Sequence, residues 1–174
     1  MSGEGDTRPE ELKEKILEES DDLAAFDCSR DDTMKLGEFI HSEAIQYQKE
    51  QLGVTHLFLH NGQVVGFATL AMSELEIKEA PYLIPFKVKI KDYPAVLIGR
   101  LAVHNDFRGR HVGRLICLRC LKIAKKLSKQ LGCKLILVYT EGKPVEFYKK
   151  CGFAVISKYE KKDKKWMFIR VPQT

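Results

Sequence analysis

The hydrophobic pattern is most informative in residues 95–131, where two different periodicities follow each other. Residues 95–103 form a nearly continuous apolar run rich in branched side chains, which predicts a buried β-strand. From residue 112 to residue 131, apolar side chains recur every three or four positions with cations between them, which predicts an amphipathic helix ending near Gly132. The residues between these segments are polar and contain glycine. The pattern therefore predicts a strand, a tight turn and a helix in succession.

A second pair of apolar segments predicts a β-hairpin. Residues 55–60 and 63–72 have the composition of strands, and they flank the dipeptide Asn61-Gly62, which favours the tight turn of a hairpin. Gly66 lies inside the second of these strands. A glycine in that position predicts a bulge or the close approach of another part of the backbone.

Two helices are predicted before the hairpin. Pro9 can start a short helix that ends near Glu19. Asp31 and Asp32 can cap a longer helix over residues 33–51. The residues of this longer helix that we expect to be buried are Leu36, Phe39, Ile40, Ala44 and Tyr47.

The segments before the central strand and after the long helix complete the pattern. Residues 73–94 contain three prolines and cannot form one regular element, and the sequence leaves open whether they line a substrate pocket, cover an interface or simply pack. Residues 133–139 predict a buried parallel strand after a helical crossover. Pro144 can start the next helix, and residues 153–159 and 166–171 predict the last two strands.

Length and composition are typical of one globular domain, since 174 residues with 44% hydrophobic side chains can bury a core of their own. We expect residues 1–20 to form an N-terminal extension, partly disordered or a short helix, and residues 21–174 to form a single domain. No apolar run is long enough to cross a membrane, and the acidic N-terminus lacks the profile of a signal peptide. A cytoplasmic location without a membrane partner is therefore expected.

Charge divides the chain into an acidic and a basic part. Residues 1–94 contain 10 Lys and Arg against 19 Asp and Glu, a net charge of −9, whereas residues 95–174 contain 19 against 5, a net charge of +14. Clustered cations favour a polyanionic partner such as a nucleic acid. They can equally serve to keep the surface soluble, and composition leaves both interpretations open.

Cysteine and histidine spacing predicts no metal site. Cys117 and Cys120 form a C-x-x-C pair, but both lie within the predicted long helix, with no second pair at zinc-finger distance. We expect them to be small core residues. The five histidines do not match a metal-binding motif, and five irregularly spaced cysteines do not indicate a disulfide framework.

The turn that follows the central strand has the composition of an anion-binding site. Backbone N–H groups and the positive end of a helix dipole converge at a strand-turn-helix junction, which suits a pyrophosphate. Glycines allow the backbone to approach the anion closely, and Arg108, Arg110 and Arg114 add positive charge. We call residues 108–114 the anion cradle.

The anion cradle and two later segments, in this order, resemble the GNAT family of N-acetyltransferases. The run R-G-R-H-V-G resembles the family's motif A, Gln/Arg-x-x-Gly-x-Gly/Ala, with Arg108 at the first position, Gly113 at the last, and His111 where glycine is usual. The strand C-K-L-I-L-V-Y comes next. Residues 147–153, F-Y-K-K-C-G-F, resemble the F-Y-x-x-x-G-F element that follows the fifth strand. The resemblance covers residues 54–171.

This resemblance implies an α/β (mixed α+β) fold, the GNAT acyl-CoA N-acyltransferase fold. In that fold helices flank a central, mostly antiparallel sheet, which splays between its fourth and fifth strands. The family implies acetyl-CoA as co-substrate, without a metal, and direct transfer of acetyl to a primary amine. The residues implied to bind acetyl-CoA are Leu101, Ala102, Val103, Arg108, Gly109, Arg110, His111, Val112, Gly113 and Arg114.

The same resemblance implies a general acid. Tyr148 matches the tyrosine of the F-Y element, and a phenol, which is protonated at neutral pH, can donate its proton to the departing coenzyme sulfur. The alternative is that Tyr148 only packs under its helix. His104 and Glu141 are weaker candidates for a general base, since a surface role is expected for His104 and the amine can lose its proton to water.

Three further features resemble one branch of this family in particular. The runs L-A-A-F-D-C and I-G-R-L-A-V, together with the proline-containing segment, resemble the acetyltransferase toxins of toxin–antitoxin systems, which modify aminoacyl-tRNA. This implies aminoacyl-tRNA as acceptor, an antitoxin partner and a homodimer, and the basic part of the chain fits a tRNA. Two alternatives stay open: an N-acetyltransferase for protein or small-molecule amines, and a module that binds CoA or nucleic acid with weak catalysis.

Overall fold

A sheet of seven strands is the main feature of the computed structural model, which describes residues 11–76, 88, 90–156 and 164–173. The strands are β1 (Lys13–Ile16), β2 (Val54–His60), β3 (Gln63–Glu76), β4 (Asp92–Val103), β5 (Leu135–Glu141), β6 (Ala154–Val155) and β7 (Lys164–Arg170). Their order in the sheet is β1-β2-β3-β4-β5-β7-β6. The pair β4–β5 is parallel, whereas β1–β2, β2–β3, β5–β7 and β6–β7 are antiparallel. The predicted mixed, mostly antiparallel sheet is therefore confirmed.

Helices connect these strands within the described residues. They are α1 (Leu36–Glu38), a π-helix (Phe39–Glu43), α2 (Ala44–Lys49), a 3₁₀ turn (Asn105–Phe107), α3 (Val112–Leu127) and α4 (Pro144–Lys150). The helix predicted over residues 33–51 is thus found over residues 36–49, with a π-helix in its middle. Asp32 caps its start as predicted, because its carboxylate accepts the N–H groups of Leu36 at 2.7 Å and Gly37 at 2.9 Å. Its fully buried residues are Phe39, Ile40 and Ala44.

The first strand shows that the short helix predicted between Pro9 and Glu19 is wrong. Residues 13–16 form β1 and pair antiparallel with β2. The flanking Leu12 and Leu17 are buried at the two ends of this strand. Apolar spacing suited a helix, but pairing with an existing strand edge decided the conformation. The division into an N-terminal extension and a single domain stays a prediction.

The hairpin is confirmed in detail. Asn61 and Gly62 have φ angles of 49° and 78°, both left-handed, as the tight turn between β2 and β3 requires. The register shifts between Phe58, which faces Gly66, and Leu59, which faces Val64. One extra residue is therefore accommodated in β3, and this bulge lies next to Gly66 as predicted.

Two compact units make up the chain, and each has its own hydrophobic core. The first takes residues up to 70 together with residues 99–119, and the second takes residues 71–98 and those from 120 onward. The core of the first unit includes Leu17, Phe26, Phe39, Ile40, Leu57, Phe67 and Ala102. The core of the second includes Leu75, Tyr93, Ala95, Leu135, Leu137, Ile156 and Phe168. The predicted burial of β5 is confirmed.

Some predictions fall outside the described residues. They concern residues 77–87 of the proline-containing segment and residues 157–163, which include the end of the strand predicted over 153–159. In the part of the chain that the structure describes, no helix is both long and apolar enough to cross a membrane.

Candidate active site

Strand β4 leads through the 3₁₀ turn into the anion cradle. Gly66 of β3 allows the backbones of β3 and β4 to lie close to each other and to α3. An ideal Cβ atom on Gly66 would lie only 2.5 Å from Cδ1 of Ile116 and 2.9 Å from the carbonyl oxygen of Ala102. Glycine is therefore required where β3, β4 and α3 meet.

The parallel ladder between β4 and β5 joins residues 95–98 to residues 135–138, so it ends before residues 101–103.

His104 is buried at the end of β4, so the surface position expected for it is wrong. Its side chain is 5% exposed and lies edge-on to Phe26. Its Nε2 lies 3.0 Å from the carbonyl oxygen of Ala25, and its Nδ1 accepts the N–H of Asp106 at 3.1 Å. With these partners, Nε2 is the ring nitrogen that donates and Nδ1 is the one that accepts. Since both ring nitrogens have backbone partners, His104 holds the turn and is not placed to act as a general base.

A loop at residues 25–30 holds the 3₁₀ turn that precedes the cradle, within the first unit. The N–H of Asn105 donates to the carbonyl oxygen of Asp27 at 2.8 Å. The side chain of Asn105 accepts the N–H of Arg30 at 3.2 Å and donates to Oγ of Ser29 at 3.3 Å. Sequence reasoning missed this loop as a support of the site. The run L-A-A-F-D-C was noted only as a family likeness, because bonds between residues about 75 positions apart leave no local signal.

The backbone of the cradle has the left-handed conformations that open a turn toward an anion. Gly109 has φ 77°, and an added Cβ there would meet no atom within 4 Å, so conformation and not space selects glycine. His111 has φ 60°. Histidine is among the residues that enter this region most readily, which explains how it stands where the family usually has glycine. Its carbonyl oxygen accepts the N–H of Leu115 at 3.1 Å as α3 begins.

Three arginines give this turn a positive charge. Arg108 and Arg110 are half-buried and Arg114 is exposed, and among the described residues none of the three forms an ion pair. The guanidinium of Arg110 lies 5.3 Å from the centre of the Phe107 ring. The first turn of α3 contains no acidic residue. A pyrophosphate fits this arrangement, because the first N–H groups of a helix lack partners within the helix and attract an anion.

Cys28 lies in the loop of residues 25–30, packs in the core of the first unit and does not have the properties of a nucleophile. The pKa of its thiol is raised to about 11, first by burial and then by the carboxylate of Asp32, while the charge of Arg108 opposes both effects. The thiol is therefore protonated at neutral pH.

Tyr148 belongs to the second unit. It lies in α4, which begins at Pro144 as predicted, and its side chain is 6% exposed. The ring packs edge-on against Phe147 and Phe153, with centroid distances of 5.0 and 5.5 Å. The F-Y element therefore forms a compact aromatic cluster within its unit. The role of Tyr148 as an acid stays a prediction.

The other candidates are placed as follows. Glu141 is half-buried at the end of β5. Cys117 and Cys120 are buried in α3, which confirms them as core residues. No cluster of potential metal ligands occurs among the described residues.

A family model described as "Acetyltransferase (GNAT) domain" matches residues 51–155, which is more than half of the chain. The chain belongs to the GNAT family. It is therefore an acetyl-CoA-dependent N-acetyltransferase, and the resemblance inferred from the cradle and the F-Y element is confirmed. The match begins just before β2 and ends in β6, so it contains the cradle, β5 and α4.

Several solved structures have this GNAT fold. AtaT complexed with acetyl-methionyl-tRNAfMet has a TM-score of 0.76 and 22% identity, over 91% of this chain and 94% of that one. AtaTR bound with AcCoA has a TM-score of 0.75 and 23% identity, over 93% of this chain and 95% of that one. A point mutant of the AtaT toxin bound to the C-terminus of the antitoxin AtaR has a TM-score of 0.73 and 21% identity, over 92% of each chain. At this identity the likeness supports the fold alone.

Proposed function

We propose that this GNAT enzyme acetylates the α-amino group of aminoacyl-tRNA, with acetyl-CoA as donor. One observation carries the donor side of this proposal: the cradle combines left-handed turns, a helix start without acidic residues, and three arginines that form no ion pair within the described part of the chain. Such a site suits a pyrophosphate. The solved AtaT complex with an acetylated tRNA supports the choice of acceptor.

The coenzyme would lie along the first unit. Its pyrophosphate would accept N–H groups from the cradle and from the first turn of α3, with Arg108, Arg110 and Arg114 adding charge. The pantetheine arm would pair with the backbone of residues 101–103, which lie beyond the end of the ladder between β4 and β5. The residues proposed to bind the coenzyme are those implied by the family: Leu101, Ala102, Val103, Arg108, Gly109, Arg110, His111, Val112, Gly113 and Arg114.

The reaction needs one proton donor from the chain. The neutral amine attacks the thioester carbonyl, the carbon–sulfur bond breaks, and the leaving thiolate takes a proton while the new ammonium loses one to water. We assign the donated proton to the phenol of Tyr148, on the strength of its place in the F-Y element. The buried aromatic cluster with Phe147 and Phe153 supports this, because it fixes the direction of the tyrosine ring.

The basic sequence supports an RNA acceptor. Residues 107–140 contain four arginines and five lysines and no Asp or Glu. Cations at such density attract the phosphates of any nucleic acid. An RNA bound in this way should dissociate as salt rises, with affinity falling by at least about tenfold between 50 and 200 mM.

The acceptor is tested by incubating the purified chain with labelled acetyl-CoA and either aminoacylated tRNA, uncharged tRNA or a peptide with a free N-terminus. Label should appear only on the aminoacylated tRNA. Label on the peptide alone would replace the proposal with a protein N-acetyltransferase. Calorimetric binding of acetyl-CoA without turnover on any acceptor would favour a weakly catalytic binding module.

The acid role is tested with Tyr148→Phe, which keeps the ring and removes the hydroxyl. We expect kcat to fall by about 10²-fold or more, with the affinity for acetyl-CoA changed less than about twofold. Tyr139→Phe, a half-buried tyrosine of β5 in the same unit, is the matched control and should keep its activity. An unchanged kcat in Tyr148→Phe would remove this residue from the mechanism.

An antitoxin partner and a homodimer are part of the same proposal. The AtaT mutant bound to the C-terminus of AtaR supports the first. Light scattering of the purified chain measures the oligomeric state directly, and a mass of one chain would contradict the dimer.

A further inference from the structure

Arg100 is held in an unusual position on β4. Its guanidinium carbon lies 4.0 Å from the centre of the Phe39 ring and 5.2 Å from the centre of the Tyr47 ring. The two rings meet edge-on at 5.6 Å, and Phe39 is 2% exposed. The guanidinium is therefore held over an aromatic pair, all within the first unit.

The π-helix contributes to this arrangement. Phe39 is its first residue, and Tyr47 lies eight positions later in α2. The wider turn of the π-helix between them therefore determines the relative positions of the two rings that contact Arg100. Single π-turns inside α-helices are frequent at functional sites.

Aromatic rings stack on the face of a guanidinium, but they do not accept hydrogen bonds from its N–H groups, which point outward in the plane of the guanidinium. An arginine has five such donors in a rigid fork. In the described part of the chain, no carboxylate lies within ion-pair distance of Arg100 and no hydrogen bond from its side chain is found. A half-buried guanidinium of this kind can donate two parallel hydrogen bonds to the oxygen atoms of an anion that approaches its edge.

The position along β4 relates Arg100 to the reaction. It directly precedes residues 101–103, which we assign to the pantetheine arm. Side chains alternate along a strand, so Arg100 shares its face with Ala102, which packs in the core with Phe39. On β3, Gly66 faces Ile116 of α3, whereas the next residue, Phe67, packs with Phe39. Arg100 therefore lies on the opposite face of the sheet from the helix that carries the anion cradle.

We propose that Arg100 binds the acceptor, through a phosphate near the amine that is acetylated. This inference rests on the proposed function, since it assigns the acceptor side of the same site. The chemistry that fits is a phosphodiester oxygen of the terminal nucleotides of a charged RNA, paired with the guanidinium fork. Arg100 would orient the amine toward the thioester and would not contact the coenzyme pyrophosphate.

The test compares Arg100→Gln and Arg100→Lys with the unaltered chain, using aminoacylated tRNA and labelled acetyl-CoA. Arg100→Gln should raise the KM for charged tRNA at least tenfold. Arg100→Lys should give a smaller rise, because it keeps the charge and loses the fork. Acetyl-CoA affinity by calorimetry should change less than twofold in both variants. Lys13→Gln, which removes an exposed cation of β1 in the same unit, should leave KM and kcat unchanged.

Three results would overturn the inference. An unchanged KM for charged tRNA in both variants would show that Arg100 does not bind the acceptor. Equal losses of acetyl-CoA affinity and acceptor affinity, with a lower melting temperature, would show a structural role. If Arg100→Gln does not fold, Arg100→Lys decides by the same criteria. If the unaltered chain does not acetylate charged tRNA at all, the proposed function fails, and the acceptor role of Arg100 fails with it.

Discussion

Replacing Gly66 by alanine adds one methyl group at the place where β3, β4 and α3 meet. The new carbon would lie 2.5 Å from Cδ1 of Ile116 and 2.9 Å from the carbonyl oxygen of Ala102. Ile116 is fully buried, and the carbonyl belongs to the backbone of β4, so neither can move freely. Overpacking a core costs about 1–3 kcal/mol, and the backbone contact favours the upper part of this range. For a chain of this length the melting temperature should fall by roughly 5–10 °C.

The assay is thermal and urea unfolding of Gly66→Ala beside Gly99→Ala. An added Cβ on Gly99 would meet only the carbonyl oxygen of Thr69 at 3.8 Å, an ordinary contact, so this control should change the free energy of unfolding by less than about 0.5 kcal/mol. Ile116→Val deletes the clashing methyl group and alone costs about 1 kcal/mol. Combined with Gly66→Ala, it should give a smaller loss than the sum of the two single losses. Equal stability of the two alanine variants would refute the reasoning, as would strict additivity in the double variant.

Three further outcomes are expected. His111→Gly should keep the melting temperature within a few degrees, whereas His111→Val should cost about 1–2 kcal/mol of unfolding free energy, because a branched side chain resists φ 60°. Asp32→Ala removes the acceptor of the Leu36 and Gly37 N–H groups and should cost about 1–2 kcal/mol in urea unfolding, whereas Glu43→Ala, at an exposed position of the same helical segment, should be nearly neutral. Cys28, whose pKa is raised to about 11, should alkylate slowly at pH 8 and faster as pH rises, because the thiolate fraction increases. Rapid alkylation of Cys28 in the folded chain at pH 7, measured by mass spectrometry, would contradict this.

Local signals predicted a large part of this fold. Asn61-Gly62 specified its hairpin because both residues adopt left-handed φ at little cost. The apolar run before the cradle and the helical periodicity after it predicted β4 and α3, since each pattern depends only on residues a few positions apart. Gly66 predicted a bulge or a close backbone contact, and both are present.

What local patterns could not predict depended on distant partners. Residues 13–16 became a strand because β2 offered a free edge, although their apolar spacing suited a helix. His104 was expected at the surface, yet the carbonyl oxygen of Ala25 and the N–H of Asp106 bind its ring and bury it. The stacking of Arg100 on Phe39 was equally unforeseen.

By itself the sequence determined the strand, turn and helix that build an anion cradle, because glycine, arginine and helix periodicity act within a few residues of one another. Only the tertiary structure decided which side chains support that cradle and which aromatic rings contact Arg100. Those choices arise from contacts between residues far apart in the chain, and such contacts form only when the sheet brings their backbones together.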